Sequence, residues 1–122
     1  MRFQQRGQPN DLDDSISLHK QALELCSLSH VNRSMSLNNL AAALQIKFEI
    51  GDQKNDLNDS ISLHRQALEL RPLPHPDRST SLNNLATVLQ IRFQQGGQLH
   101  DLHDSISLHR EALELQPLPH SD

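Results

Sequence analysis

Eight histidines are spread over a chain of 122 residues, and histidine is the side chain best suited to holding zinc or moving a proton near neutral pH. The densest group is His100 and His103, with Asp104 and His109 nearby. A zinc site needs three or four convergent ligands. Here His100 stands where earlier stretches carry Asn55 and Asn10, and His103 where they carry Asn58 and Asp13, so the group arises at variable polar positions and no metal is expected. Nucleophilic catalysis asks for a Ser or Cys beside a base and an orienting group. The single cysteine, Cys26, has His19 and His30 near it in sequence. The equivalent positions hold Arg71 and Gln116, as a loop edge would, and no cation cluster is present to lower the thiol pKa. Asp13, Asp14 and Glu24 read as cap and solvated charges. Neither catalytic activity nor a cofactor is expected.

His19, His64 and His109 differ from the others because they recur at steps of 45 residues, inside an apolar arc. A histidine so placed is expected to lie between helices and donate one hydrogen bond, with a pH-sensing role as the alternative. A second constellation follows helical spacing. Asn83, Thr87, Gln90 and Gln94 stand at i, i+4, i+7 and i+11, and Asn38, Ala42, Gln45 and Glu49 precede them by 45 residues. A side-chain amide both donates and accepts, so two such rows suit an extended peptide backbone. The alternative is that they are solvated or form a ladder between repeats.

The elements that position these residues repeat. DLDDSISLHKQALEL at 11–25 recurs at 56–70 and 101–115, with 29 identities between 11–55 and 56–100 and 4 differences between 56–77 and 101–122. Such agreement is the mark of duplication. Over 56–71 the residues Leu57, Ser60, Ile61, Leu63, His64, Ala67, Leu68 and Leu70 occupy one half of a helical wheel, which predicts a helix covered by two neighbours. Asp11, Asp56 and Asp101 stand where N-caps belong. A first helix is predicted over about 78–95, capped by Asp77, carrying the stripe Leu82, Leu85, Ala86, Leu89 and Phe93 and ended by Gly96-Gly97; the copy at 33–50 is ended by Gly51. Three prolines stiffen the loop 71–77, whereas 26–32 has none and should be the softer joint.

The pattern Leu57-x-x-Ser60-Ile61-x-x-His64-x-x-Ala67-Leu68-x-Leu70-x-Pro72 resembles the second helix of a tetratricopeptide (TPR) repeat, and Leu82-x-x-Leu85-Ala86-x-x-Leu89 its first. Asn83-Asn84-Leu85-Ala86 is especially similar to the repeats of kinesin light chains and long fungal arrays. The period departs from the family's 34 residues, and Ser60 and His64 replace its usual Ala and Tyr or Phe. The resemblance implies an all-α, helix-turn-helix solenoid, a TPR-like right-handed superhelix, over residues 1–122. Within it 1–10 is the end of a truncated first helix plus its loop, 11–55 and 56–100 are full repeats, and 101–122 is a half repeat. It also implies that first helices line a concave groove, and that Asn39 and Asn84 match the family position whose asparagine holds a ligand backbone. Lysines and arginines that complete a carboxylate clamp in some relatives are not evident on these rows.

Composition agrees with an interaction module. Leu, Ile, Val and Phe make up 33 of the 122 residues, enough to fold, but only three aromatics are available to fill a deep core. A net charge of -4 without a basic cluster argues against nucleic acid. The longest apolar run, Leu40 to Leu44, is too short to cross a bilayer, and one cysteine suits a reducing cytoplasm. The expected partner is a protein or peptide, and the chain is expected to be an excerpt of a longer array. The alternative is a structural, self-assembling spacer, with self-association through uncapped terminal helices 11–25 and 101–116.

Overall fold

A computed structural model describes residues 9–25 and 30–115, with side-chain surroundings from residue 11 onward in the first stretch and 33 onward in the second. Among the described residues the chain is all-α, with five helices and no strand: α1 (Pro9–Leu25), α2 (His30–Gly51), α3 (Lys54–Glu69), α4 (Arg78–Gly96) and α5 (Leu99–Leu115). This is the helix-turn-helix pattern of a helical repeat of the solenoid class. The chain divides into two compact units, Met1–Leu70 and Arg71–Asp122.

In the first unit α2 packs against both α1 and α3. Leu12 and Ile16 of α1 close on Leu40, Ala43 and Leu44 of α2, with Leu23 and Leu63 partly buried at the edge. In the second unit α4 packs against α5, and Leu82, Leu85, Ala86, Val88 and Leu89 of α4 are buried. The buried arc of α4 is wider than its predicted stripe, since Ser81 and Val88 join it while Phe93 is only half-buried. For α3 the half-wheel is borne out. Leu57, Ser60, Ile61, His64 and Ala67 are buried, and Asn58, Asp59, Ser62, Arg65, Gln66 and Glu69 are exposed.

Helix ends correct several sequence readings. Asp11, Asp56 and Asp101 are not N-caps: the helices begin two residues earlier, at Pro9, Lys54 and Leu99, and the three aspartates lie in the first turn. Their negative charge still complements the helix N-terminus there. Asp56 and Asp101 donate their backbone N–H to the carbonyls of Gln53 and Gln98 at 3.0 Å, which draws them into the helix. Asp77 does hold the cap position of α4, but its side chain caps nothing, and its own N–H donates to Nδ1 of His75 at 3.0 Å. The α2 helix starts at His30, inside the segment read as a loop, because Val31 and Asn32 replace the helix-breaking Pro76 and its neighbour Asp77. Residues 26–29, including Cys26, and the stub 1–8 lie outside the described residues, as does 116–122.

Both first helices end through the same bond. The N–H of Asp52 donates to Phe48 C=O and that of Gly97 to Phe93 C=O, each at 2.6 Å. The donor residue must take a left-handed conformation, with φ 60° at Asp52 and 73° at Gly97. In the first copy, then, the residue after Gly51 performs the turn, while Gly51 is the last helical residue. A Cβ at position 97 would meet no atom within 4 Å, so replacing Gly97 tests backbone strain alone. Gly97→Ala is expected to lower stability by about 1 kcal/mol, read as a drop in thermal midpoint with helicity unchanged.

Candidate protein-binding surface

The second helices of the repeats carry Ser and His four residues apart, and both point at the first helix of the same hairpin. In the first unit Ser60 Oγ donates to Ala41 C=O at 2.7 Å, and His64 Nδ1 lies 3.0 Å from Asn38 Oδ1. In the second unit Ser105 Oγ donates to Ala86 C=O at 2.9 Å, and His109 Nδ1 lies 3.1 Å from Asn83 Oδ1. The approach of a hydroxyl to a backbone carbonyl requires a small residue, and Ala41 and Ala86 are fully buried. An amide oxygen can only accept, so each imidazole carries a proton on Nδ1 and donates it. Burial lowers the His64 pKa to about 4, which keeps the ring neutral and its Nδ1–H a plain donor at neutral pH.

These bonds locate the amide rows. Asn38 and Asn83 are half-buried and already engaged by the histidines, so their first role is to pin the hairpin. On α2, Asn39 is exposed, and half-buried Gln45 donates from Nε2 to Glu49 Oε2 at a long 3.4 Å. On α4, Asn84 is half-buried, exposed Thr87 donates its hydroxyl back to Asn83 C=O at 2.9 Å, and Gln90 and Gln94 are exposed. Each row therefore begins with an anchored asparagine and continues into water. Asn39 on α2 and Thr87, Gln90 and Gln94 on α4 are exposed, while Gln45 and Asn84 are half-buried.

Charged groups secure the hairpin in the second unit. Asp101, almost completely buried, accepts two bonds from Arg92, at 2.8 Å from Nη2 and 3.0 Å from Nε, and His100 approaches it at 3.3 Å. Arg78 reaches Glu111 at 3.1 Å and donates to Arg71 C=O, while buried Arg71 donates to Ser81 Oγ at 2.8 Å. The histidine pair His100 and His103 is exposed, and no group of three metal-binding side chains exists among the described residues. Sequence reasoning missed a cleft of about 290 Å³ in the first unit, lined by Ile16, Leu40, Leu44 and Leu63 together with Lys20, Lys47, Asp56 and Asp59. Its signal was present only as charges that fall on different helices.

Residues 78–120 match the family model described as the tetratricopeptide repeat. No curated protein and no solved structure matches the chain. The matched stretch contains the whole α4–α5 hairpin, with its Asn83–His109 and Ala86–Ser105 bonds. Over that stretch the chain is thus similar to the TPR repeat, a kind of repeat that generally mediates protein–protein interaction and is typically not catalytic. Among the described residues no helix is long and apolar enough to cross a membrane.

The buried histidine makes stability depend on pH. Unfolded His64 binds a proton near pH 6.5 and folded His64 only near 4, so between these values the unfolded state holds more protons. Stability is therefore complete above pH 6.5 and falls as pH drops toward 4, at about 1.4 kcal/mol per pH unit and roughly 3 kcal/mol in all. Denaturant titrations from pH 7.5 to 4 should show this loss in the wild type and a flatter profile in His64→Gln.

Proposed function

We propose that the chain is a non-enzymatic interaction module that binds a peptide or partner segment along the polar rows of its first helices. The domain frame is the 45-residue one, with repeats at 11–55 and 56–100 and a half repeat at 101–122, of the kind found in kinesin light chains and long fungal arrays. A cytoplasmic setting, a protein partner and no nucleic acid suit its single cysteine and acidic balance. The observation that supports this reading most is the division of labour along each row. Asn38 and Asn83 are held by imidazoles, whereas their neighbours Asn39 and Asn84 are not the histidines' partners, and the resemblance implies that these two match the family position whose asparagine holds a ligand backbone. An asparagine fixed in place next to a second side-chain amide gives a ligand backbone a rigid rail beside a further donor and acceptor.

The paired substitution Asn39→Ala with Asn84→Ala is expected to weaken a partner by about 1–3 kcal/mol, the cost of lost ligand hydrogen bonds, while helicity by circular dichroism stays constant. Wild-type affinity in the double variant defeats the reading.

A self-assembling role is the second reading, supported by α5. Its Ile106 is 41% exposed and Leu113 66%, whereas the equivalent Ile61 of α3 is 3% exposed. Apolar surface of this kind gains roughly 25 cal/mol per Å² when covered. Sedimentation over a hundredfold dilution should then show association at the top concentration, removed by Ile106→Lys with Leu113→Glu; a monomer throughout rejects it.

A further inference from the structure

The cleft of about 290 Å³ in the first unit takes its walls from α1, α2 and α3 together. Pockets for small ligands run from roughly 300 to 1,000 Å³, so this one has room for a single side chain rather than a large molecule. Along α3 its wall reads Asp56, Asp59 and Leu63, at i, i+3 and i+7 on one face, and antiparallel α2 contributes Lys47, Leu44 and Leu40 in the matching order. Charged groups therefore mark one end of the cleft and leucines the other. Leu40 and Leu44 are buried, while Asp56 is half-buried and Asp59 exposed.

The second unit shows what this position of the hairpin binds. Asp101, the counterpart of Asp56, is buried and accepts Nη2 and Nε of Arg92 at 2.8 and 3.0 Å. In the first unit a lysine stands in the arginine's place. Lys47 turns to Asp13 of α1 at 3.6 Å, and among the described residues it makes no ion pair with Asp56. An ammonium is a compact point charge and lacks the fork that fits a carboxylate side-on. Neither Asp56 nor Asp59 has a side-chain partner among the described residues. Lys20, also on the wall, is exposed and keeps its ammonium in water. With Lys47 matched by Asp13, the carboxylates are in excess, and a positive charge complements the cleft.

We propose that this cleft binds an arginine side chain of a partner peptide. The guanidinium takes on Asp56 the place that Arg92 takes on Asp101, with Asp59 beside it, and the aliphatic stem lies along Leu44, Leu40 and Leu63. An arginine side chain is graded from apolar to charged as the cleft is. Two parallel N–H donors favour a guanidinium over an ammonium here, the preference that Lys47 itself displays by leaving Asp56. A peptide suits a cleft with room for one side chain, in a kind of repeat that generally mediates protein–protein interaction. None of the amide-row residues of α2 and α4 takes part, so the site stands or falls independently of those rows.

The probe is a capped peptide, acetyl-Ala-Ala-Arg-Ala-Ala-amide, titrated into the full chain while the methyl resonances of Leu44 and Leu63 are followed. Shifts at both should saturate. Replacing the peptide's arginine by citrulline, its neutral isostere, or by lysine should weaken binding at least tenfold, and Asp56→Asn in the chain should do the same with helicity unchanged. Lys47→Arg conserves the charge yet should also weaken binding at least tenfold, because the new guanidinium closes on Asp56 as Arg92 closes on Asp101. Shifts that do not saturate overturn the proposal, as does binding that survives Asp56→Asn or Lys47→Arg, or that accepts citrulline. Binding seen only when the chain carries Arg2→Gln with Arg6→Gln would give the cleft to the chain's own arginines, and tighter binding of agmatine than of the peptide would give it to a free amine. Either result equally overturns the peptide assignment.

Discussion

A pair of hydrogen bonds across each helical hairpin governs the rest of this molecule: serine to an alanine carbonyl, and histidine to an asparagine oxygen. With few aromatics in the chain, shape alone does little to fix how one helix seats on another. Leucines pack in many registers at nearly equal cost. A buried hydroxyl or imidazole does not, because any slip leaves it unsatisfied at a cost of about 1–3 kcal/mol. The polar pairs thus set the register, and the leucines supply the burial that makes the register worth keeping.

Each second helix consequently has two faces with different requirements. One is the polar line of Asp, Ser and His, which takes the first helix of its own hairpin. The other is apolar, represented by Leu12 and Ile16 on α1, Leu57 and Ile61 on α3, and Leu102 and Ile106 on α5. In α3 both faces are buried. In α1 Leu12 and Ile16 are buried while Ser15 and His19 are half-buried, and in α5 Ser105 is buried while Ile106 is left exposed. Three nearly identical sequences therefore occupy three different states of burial, and the differences come from neighbours rather than from the helices themselves.

That distinction marks what could be read from the sequence. Helix type and the buried half of α3 were legible residue by residue, since amphipathic periodicity reports burial directly. The role of His64 was legible in kind, as an interhelical donor. Its acceptor was not, because spacing along α2 puts Asn38 in a row with Gln45 and says nothing about which neighbouring helix claims the first member. Asp101 was misread for a related reason: a carboxylate at a helix start looks like a cap until its partner Arg92, nine residues earlier and on another helix, is seen. The turn at Asp52 was hidden by the glycine before it, which drew attention away from the residue that adopts the positive φ.

The hairpin bonds also span little sequence, 19 residues for the serine and 26 for the histidine in both units. Every register-setting contact is thus closed within one 45-residue period, and none asks the chain to bring distant segments together. Loop-closure entropy is small for such contacts, so topology of this sort favours fast, local folding. It also makes length a free variable for evolution. Adding or deleting one period at the DNA level leaves every remaining hairpin with its own partners, and near-identity between copies such as 56–77 and 101–122 supplies the homology for such unequal exchange.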